Sequence, residues 1–470
     1  MVPASITSMS LVHLLFLFPV SLANDLIVLV MGGAYAFLLT YIFTFGIIGF
    51  CRRVGWLDKP EARRIHKNPV PRLGGIAMFL GFVLASMVFY APDPIVQSKE
   101  MITYWLLLVA SLLIVLVHAY DDVKGLKPLT KLLAQTAAVI ILLGPGWTVV
   151  KGVVTYVFHG VLLFGFSNPF GAPNSTHSLP WYRQPEITLF IQHPDITVAA
   201  IPAVLFTWFW MAGMMNTVNL IDGLDGLATG VVGITGLFIT IISWTLGQHS
   251  IAILSAIFTG AVFGFLPHNW NPAKVFMGDS GSQFLGLGLA VLSIIGGAKV
   301  ALALMVLGIP ILDVAVVMIN RVRRGQHPLY YDRTHLHYRL LATGLRVKQI
   351  CYLFYGLTLI FGILGLSLNH YLKLIGMGLV GLTMAALIYW IDHRQQKSGE
   401  LIKLGPDPEP PGGMGSSLGP TDDGRHCTPP EWELGKDISH SALSEDERFV
   451  SEQSGGIKAK TGTLREVMRV

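Results

Sequence analysis

The sequence predicts an all-α, polytopic membrane protein with about 11 transmembrane helices, its N-terminus outside and its C-terminus in the cytoplasm. Three observations predict it. Of 470 residues, 52% are hydrophobic and only 13% are charged, and the mean hydropathy is +0.59, a balance foreign to water-soluble proteins of this length. The apolar residues gather into windows of about 20, long enough to cross a bilayer as helices. The lysines and arginines gather between alternate windows, as in a topology set by positive charge.

In chain order the windows fall near 25–50, 74–91, 102–119, 132–145, 197–215, 229–245, 250–266, 283–298, 300–319, 349–368 and 371–391. One set of intervening loops holds Arg52, Arg53, Lys59, Arg63, Arg64, Lys67 and Arg72, then Lys124, Lys127 and Lys131, then Arg321, Arg323, Arg324, Arg333, Arg339, Arg346 and Lys348. The opposite set offers little beyond Lys99, Lys151, Arg183, Lys299 and Lys373. The basic set is therefore expected in the cytoplasm. Topology thus accounts for the formal net charge of +5, and no nucleic-acid partner is implied.

Three segments fall outside the transmembrane domain, which is read as 25–395. Residues 1–24 contain a short apolar run, Leu11 to Leu22, with no basic residue before it, which suits either a cleaved signal peptide or a short interfacial segment. Residues 146–196 form an external insertion, with an interfacial helix expected at 150–165. Residues 396–470 turn abruptly to Gly, Pro, Ser and mixed charge, and are expected to be a disordered cytoplasmic tail. Cys51, Cys351 and Cys427 lie far apart with no CxxC, so neither a disulfide framework nor a zinc site is indicated.

The chemistry is indicated by which loops hold the acids. Asp121-Asp122, the run Asn219 to Gly226, the run Phe276 to Ser282 and the segment His335 to Arg339 all fall on the basic side, so they converge on one membrane face. Asp121 and Asp122 end an apolar run, where carboxylates oppose the helix macrodipole at a cost of about 0.3–1 kcal/mol each. A cation is needed there, either from Lys124, Lys127 and Lys131 or from a divalent metal. Asn219, Asp222 and Asp225 recur every three residues and share one face if helical. Gly223 and Gly226 leave the backbone open to a base or a phosphate. The same composition also suits an Asx-rich turn between spans.

Asp279 stands in a Gly-Asp-Ser-Gly-Ser run at the start of a span, where free N–H groups hold phosphate and the carboxylate holds a metal. Mg²⁺ usually takes one or two carboxylates plus substrate phosphates, so acids on separate loops suit it. A serine hydrolase elbow is absent. His335, His337 and Arg339 share a side only if their segment is extended, and suit a diphosphate; as zinc ligands they lack a third partner. Asp313, inside a span after Pro310, reads as a hydrogen-bonding residue between helices.

In order along the chain, these residues resemble a known family: Asp58-Lys59-Pro60 with Arg64, His66, Pro71 and Gly74-Gly75; Asp121-Asp122 with Lys131; Asn219 to Gly226; Asn269 with Phe276 to Ser282; Arg321 and Asp332; and the histidine loop. The resemblance, from about Gly55 to Asp392, is to the polyprenyl-phosphate N-acetylhexosamine-1-phosphate transferases, glycosyltransferase family 4. Within them it is to the bacterial undecaprenyl-phosphate GlcNAc-1-phosphate transferases that start O-antigen, enterobacterial common antigen or teichoic acid linkage synthesis. The peptidoglycan branch typically carries three adjacent histidines in the last loop. Here the loop reads His335-Leu336-His337-Tyr338-Arg339, with Tyr338 where a histidine is commoner.

The resemblance implies a multi-pass enzyme of the bacterial cytoplasmic (inner) membrane. It would transfer GlcNAc 1-phosphate, or another N-acetylhexosamine 1-phosphate, from its UDP donor to undecaprenyl phosphate, with release of UMP. The implied cofactor is Mg²⁺, with Mn²⁺ as an alternative, and a homodimer is compatible with it. It implies Asp279 as main metal ligand, with Asp121 or Asp122 completing the metal site or deprotonating the lipid phosphate. Asn219, Asp222, Gly223, Leu224, Asp225, Asn269 and Phe276 match nucleotide-binding positions, with Phe276 stacking on uracil. Lys131 and the basic first loop would meet the lipid phosphate, and Arg321, Asp332, His335, His337 and Arg339 the diphosphate and sugar. Two rival classes fit less well. A transporter would place its site near the midplane on related repeats, and a scaffold would not need acids on separate loops.

Overall fold

The computed structural model describes residues 25–58, 69–92, 97–150, 153–158, 161, 188–189, 194–295, 299–325, 334–368 and 370–397. Its helices are α1 (Asp25–Val54), α2 (Gly74–Phe89), α3 (Gln97–Lys124), α4 (Pro128–Leu143), α5 (Pro194–Ile221), α6 (Leu227–Thr245), α7 (His249–Asn269), α8 (Gly278–Ile294), α9 (Lys299–Val306), α10 (Gly308–Arg323), α11 (Leu336–Ala342), α12 (Val347–Ser367) and α13 (His370–Lys397). Short strands β1 (Leu57–Asp58) and β2 (Val70–Pro71) precede α2. β3 (Pro145–Val150), β4 (Val153–Phe158) and β5 (Thr188–Leu189) lie between α4 and α5.

Among the described residues, seven helices are long and apolar enough to cross a membrane: α1, α3, α5, α6, α7, α12 and α13. α9 and α10 meet that length only as a pair, bent by 70°. The bend falls in the expected span 300–319, where Gly308 and Pro310 open α10 and proline withholds a backbone N–H from the preceding turn. The windows at 74–91 and 132–145 are α2 and α4, of 16 residues each, about 24 Å long against a hydrocarbon core of about 30 Å. The window at 283–298 belongs to α8, which starts earlier, at Gly278, and ends at Ile294.

The insertion also differs from expectation. Within 150–165 the described residues 150 and 153–158 are strand, not interfacial helix. β3 pairs antiparallel with β4, Val150 opposite Val153, and β4 pairs with β5. The segment is rich in valine, threonine and aromatic residues, which prefer a pleated sheet. The insertion is also shorter than 146–196, because α5 begins at Pro194.

Burial locates the centre of the bundle. α6 and α7 are 78% and 72% buried along their apolar windows, whereas α1 and α13 are 17% and 22% buried. The outer helices leave Leu26, Val30, Phe37, Leu38, Leu374 and Leu382 exposed, a surface suited to lipid. Against this centre, α2 approaches α8 backbone to backbone: a Cβ on Gly75 would lie 2.2 Å from the N of Gly281. Only glycine permits that approach. All described residues belong to one compact unit, Met1–Asp407; the unit Pro408–Val470, and the expected tail beyond Lys397, lie outside the described residues.

Candidate active site

The site forms where α3 and α5 end and α4 and α8 begin. Its frame starts at β2. The Phe276 N–H donates to Pro71 O at 2.8 Å, the Gly74 N–H to Phe276 O at 3.0 Å and the Gly75 N–H to Met277 O at 2.9 Å, so the entry to α2 is zipped to the entry to α8. Gly278 then turns the chain with φ +71°. A Cβ there would lie 2.1 Å from Arg72 O and 2.4 Å from Asp122 Oδ2.

The first N–H groups of a helix have no partner inside it. α3 supplies the partner for α8. Asp122 Oδ1 accepts the Asp279 N–H at 2.7 Å, and Oδ2 accepts the Ser280 N–H at 3.1 Å and the Ser280 hydroxyl at 2.8 Å. Arg72 Nε lies 3.9 Å from Asp122 Oδ1, and Arg72 Nη1 lies 3.9 Å from Asp58 Oδ1. The carboxylate that sits unfavourably at the C-terminus of α3 is thus compensated by the positive N-terminus of α8. With a side chain 1% exposed, Asp122 faces this helix end with both oxygens.

Its neighbour Asp121 points elsewhere. Asp121 Oδ1 accepts the Leu126 N–H at 2.6 Å, which shapes the turn into α4, and Oδ2 lies 2.6 Å from Lys131 Nζ. The same ammonium lies 2.6 Å from Asp279 Oδ2, so Lys131 bridges two carboxylates. The other oxygen of Asp279 accepts from Asn219 Nδ2 at 3.2 Å, and that amide also donates to Ser282 Oγ at 2.9 Å. Asp121, Lys131, Asn219 and Asp279 therefore form one cluster from four helices. The Lys131 and Asp279 side chains are 29% and 18% exposed, within reach of a ligand.

Electrostatics divides the acids. Burial alone would raise the Asp279 carboxyl, but the Lys131 charge outweighs it and holds Asp279 at about 2. Burial likewise works against the Lys131 ammonium, yet Asp279 and Asp121 raise its pKa above the usual lysine range. Asp222 is pushed well above the carboxylate range by burial and then by the charge of Asp279, with Arg72 opposing. A further cation would ease that repulsion.

Among the described residues no group of three or more His, Cys, Asp or Glu forms a metal cage. The donors present do fit Mg²⁺, which needs only one or two carboxylates plus phosphate oxygens. Asp279 would be its carboxylate ligand, with the Asn219 amide beside it.

Several expected nucleotide contacts are occupied within the protein. Asp225 Oδ2 accepts from Asn271 Nδ2 at 2.9 Å and the Ala273 N–H at 3.1 Å, so it holds the loop between α7 and α8. Asn269, buried, accepts from the Gly226 N–H at 3.1 Å and Thr229 Oγ1 at 2.7 Å, and donates to Val275 O at 3.0 Å. Leu224 is buried in the core. Phe276 is half-buried, its backbone used by the zipper described above.

The histidine segment is helical beyond His335, not extended. Asp313 on α10, buried, accepts the Leu336 N–H at 2.9 Å and pairs with His335 Nδ1 at 2.9 Å, so it caps α11 from a neighbouring helix. This is the interhelical role read for it from sequence. The His335 and His337 rings stack at 6.0 Å, and Tyr338 lies 4.2 Å from His337. Burial, then the neighbouring His335, lowers the His337 pKa to about 3, so at neutral pH the ring offers hydrogen bonds and no charge. His337 Nε2 is buried, has no hydrogen-bond partner among the described residues, and lies where a Cβ on Gly223 would be 2.4 Å away. Arg339 turns away to pair with Asp392 on α13. Arg321 is buried in the last turn of α10, and Asp332 lies outside the described residues.

Sequence reasoning missed Ser280, Ser282, Asp392 and the amides Gln135, Asn216 and Gln283. The amides carried a signal: each sits three or four residues from a motif residue, on the same helix face.

Residues 104–297 match the family described as Glycosyl transferase family 4. The chain is 32% identical over 363 residues to the Decaprenyl-phosphate N-acetylglucosaminephosphotransferase of Mycobacterium tuberculosis (strain ATCC 25618 / H37Rv), covering 70% of this chain and 80% of that protein. It is 29% identical over 326 residues to the Probable undecaprenyl-phosphate N-acetylglucosaminyl 1-phosphate transferase of Bacillus subtilis (strain 168), covering 67% and 78%. It is 30% identical over 342 residues to the Phospho-N-acetylmuramoyl-pentapeptide-transferase of Staphylococcus aureus (strain JH9), covering 70% and 96%.

Proposed function

The chain belongs to the polyprenyl-phosphate N-acetylhexosamine-1-phosphate transferases of glycosyl transferase family 4, and we propose that it moves GlcNAc 1-phosphate from UDP-GlcNAc to undecaprenyl phosphate, releasing UMP. The observation that carries this reading is Lys131 held between Asp121 and Asp279, with Asn219 against the second oxygen of Asp279. A cation and a metal-competent carboxylate at the end of a membrane bundle suit a reaction between two phosphates, one of them on a lipid.

In the reaction, an oxygen of the lipid phosphate bonds to the β-phosphorus of the donor. The bond from that phosphorus to the bridging oxygen breaks, and its electron pair leaves on UMP. One pyrophosphate is lost and one is made, so the step is nearly balanced. Positioning and charge neutralisation carry most of the catalysis. A phosphate monoester has a second pKa near 6, so the acceptor is largely a dianion at neutral pH and needs no strong base.

Bound Mg²⁺, with Mn²⁺ as a substitute, would neutralise phosphate charge beside Asp279 and Asn219. Lys131, kept charged by its two carboxylates, faces phosphate oxygens, and Asp121 aims it. Asp122, with its oxygens on α8, serves to place Asp279. Gly223 and the neutral His337 offer a close, uncharged wall for the nucleotide sugar. Asp225 and Asn269 hold the loops around it.

Arg72 lies beside Asp122, and Lys124 and Lys127 stand at the end of α3 and the entry to α4, basic residues that support a cytoplasmic active site in the bacterial inner membrane. The relatives named above differ in the lipid and the sugar of their names, and the loop around His337 lacks three adjacent histidines, which favours GlcNAc over the peptidoglycan donor. The product would begin a cell-surface polymer. The test is purified protein with undecaprenyl phosphate, Mg²⁺ and either UDP-GlcNAc, UDP-GalNAc or UDP-MurNAc-pentapeptide, scored by UMP release and lipid product mass. Turnover with UDP-MurNAc-pentapeptide alone would overturn the sugar assignment, and no turnover with any donor would overturn the reaction.

A further inference from the structure

Beneath the acidic cluster, the same helices carry a second polar tier. Four residues after Lys131, α4 places Gln135; three before Asn219, α5 places Asn216; four after Asp279, α8 places Gln283. A step of three or four residues returns a side chain to nearly the same helix face, about 4.5–6 Å along the axis. On all three helices the step runs away from the site and into the bundle.

The tier is tied directionally. Gln135 and Asn216 exchange two amide hydrogen bonds, Gln135 Nε2 to Asn216 Oδ1 and Asn216 Nδ2 to Gln135 Oε1, both 3.1 Å. Gln135 Nε2 also donates to Gln283 Oε1 at 2.9 Å, and Asn216 Nδ2 to Ala212 O at 2.8 Å. Gln135 and Gln283 are each 2% exposed, so water does not replace these bonds. Apolar side chains tolerate sliding and rotation of one helix against another. A reciprocal amide pair does not, because its bonds weaken steeply away from their preferred angles.

We propose that Gln135, Asn216 and Gln283 are positioning residues for phosphotransfer: they lock the rotational phase of α4, α5 and α8, and thereby hold Lys131, Asn219 and Asp279 at the spacing the site shows. This rests on the phosphotransferase reading. The amides touch neither the metal-competent oxygens nor the lysine. They act one helical turn away, through three backbones that each carry one member of the cluster.

The test separates phase-setting from simple helix adhesion. The triple variant Gln135→Leu/Asn216→Leu/Gln283→Leu removes all three amides together and leaves none of them facing an apolar partner, a change that can be nearly neutral for stability. In detergent its thermal midpoint and its KM for UDP-GlcNAc are expected to stay near wild type. Its kcat is expected to fall roughly 10- to 100-fold, as a misplacement on the order of 1 Å does. The rise in thermal midpoint produced by Mg²⁺ alone should shrink as well. The exchanged pair Gln135→Asn/Asn216→Gln keeps two facing amides and should recover most of the kcat.

A folded triple variant with wild-type kcat and an unchanged Mg²⁺-induced shift overturns the proposal. If the triple variant does not fold, Gln135→Met decides: lowered kcat at constant KM supports phase-setting, and unchanged kcat overturns it. A wild-type protein that releases no UMP from any UDP-sugar sinks the phosphotransferase reading instead, and does so before any variant is compared.

Discussion

Asp121 and Asp122 are chemically identical neighbours, yet the structure gives them different work, and replacing Asp122 by asparagine tests that difference against Asp279→Asn. Asp122 accepts three hydrogen bonds at the N-terminus of α8. An asparagine keeps one accepting oxygen and turns an NH₂ toward donors, so at least one bond is lost. A hydrogen bond to a buried carboxylate contributes about 1.5–3 kcal/mol, and loss of the negative charge from a partly buried helix N-terminus adds about 0.3–2 kcal/mol. The expected destabilisation is on the order of 2–4 kcal/mol, a large part of a typical total of about 5–15 kcal/mol. Asp279→Asn removes a bond to Lys131, but Lys131 keeps Asp121 at 2.6 Å, and the repulsion with Asp222 and Asp122 is relieved. Because Lys131 holds the Asp279 carboxyl at about 2, its charge contributes on the order of 2 kcal/mol at neutral pH, and Asp279→Asn should lose about that much, below the 3–5 kcal/mol of a buried charge left unpaired. Fluorescence-detected size exclusion after heating, UMP release and Mg²⁺ titration separate the two. Asp122→Asn should lose several degrees of thermal midpoint and retain a response to Mg²⁺. Asp279→Asn should lose the response, whatever its midpoint. A thermally normal Asp122→Asn with a raised Mg²⁺ requirement would make Asp122 a metal ligand and refute the capping argument.

Three further outcomes are expected. Gly278→Ala places a side chain at φ +71° and 2.1 Å from Arg72 O, so α8 or the α2 entry must shift; UMP release should drop at least roughly tenfold, and near-normal turnover would refute the crowding. His337 titrates near 6.5 when unfolded and at about 3 when folded. Between those values the unfolded chain binds a proton that the folded one does not, so stability is complete above about pH 6.5 and falls toward pH 3 by about 1.4 kcal/mol per unit. Thermal midpoints from pH 7.5 to 5 should therefore fall less steeply in His337→Gln, and equal slopes would mean that the ring is protonated in the folded protein. For topology, cysteines placed at Gly125 and Gly325 should react with an impermeant maleimide only from the cytoplasmic side; labelling from outside would reverse the proposed orientation.

The helical membrane fold was legible because the bilayer enforces it on composition. Span number was less legible, since hydropathy assumes that an apolar helix faces lipid and so has to reach across it. α2 and α4 are 16-residue helices packed against the bundle, and α2 uses Gly75 to lie against α8. On α2 Met78, Phe79 and Phe82 are buried against protein neighbours, whereas α4 leaves Leu129, Leu133 and Ile140 exposed, so hydropathy alone does not fix how far an apolar helix reaches. The hairpin of β3 and β4 was misread for a related reason: its valines and aromatics suit an interfacial helix by hydropathy and a strand by shape. The convergence of Asp121, Lys131, Asn219 and Asp279 was legible, because each lies at a helix end on the basic side of the chain.

What the motifs do not reveal is which polar groups still have bonding capacity once the chain has folded. Asp122, Asp225 and Asn269 look as reactive in sequence as Asp279, but their oxygens are met by N–H or O–H groups from elsewhere in the chain. Asp279 and Lys131 are partly exposed and joined to each other, and His337 Nε2 faces Gly223 with no hydrogen-bond partner among the described residues. Adjacent residues on a helix point about 100° apart, so Asp121 meets the lysine while Asp122 meets the start of α8. Saturation of hydrogen-bond capacity is a tertiary property, invisible to spacing. It divides a motif into residues that build the site and residues that meet the substrate: the oxygens of Asp279 are met within the cluster, by Lys131 and Asn219, and with side chains 18% and 29% exposed Asp279 and Lys131 are where we propose that the phosphates bind.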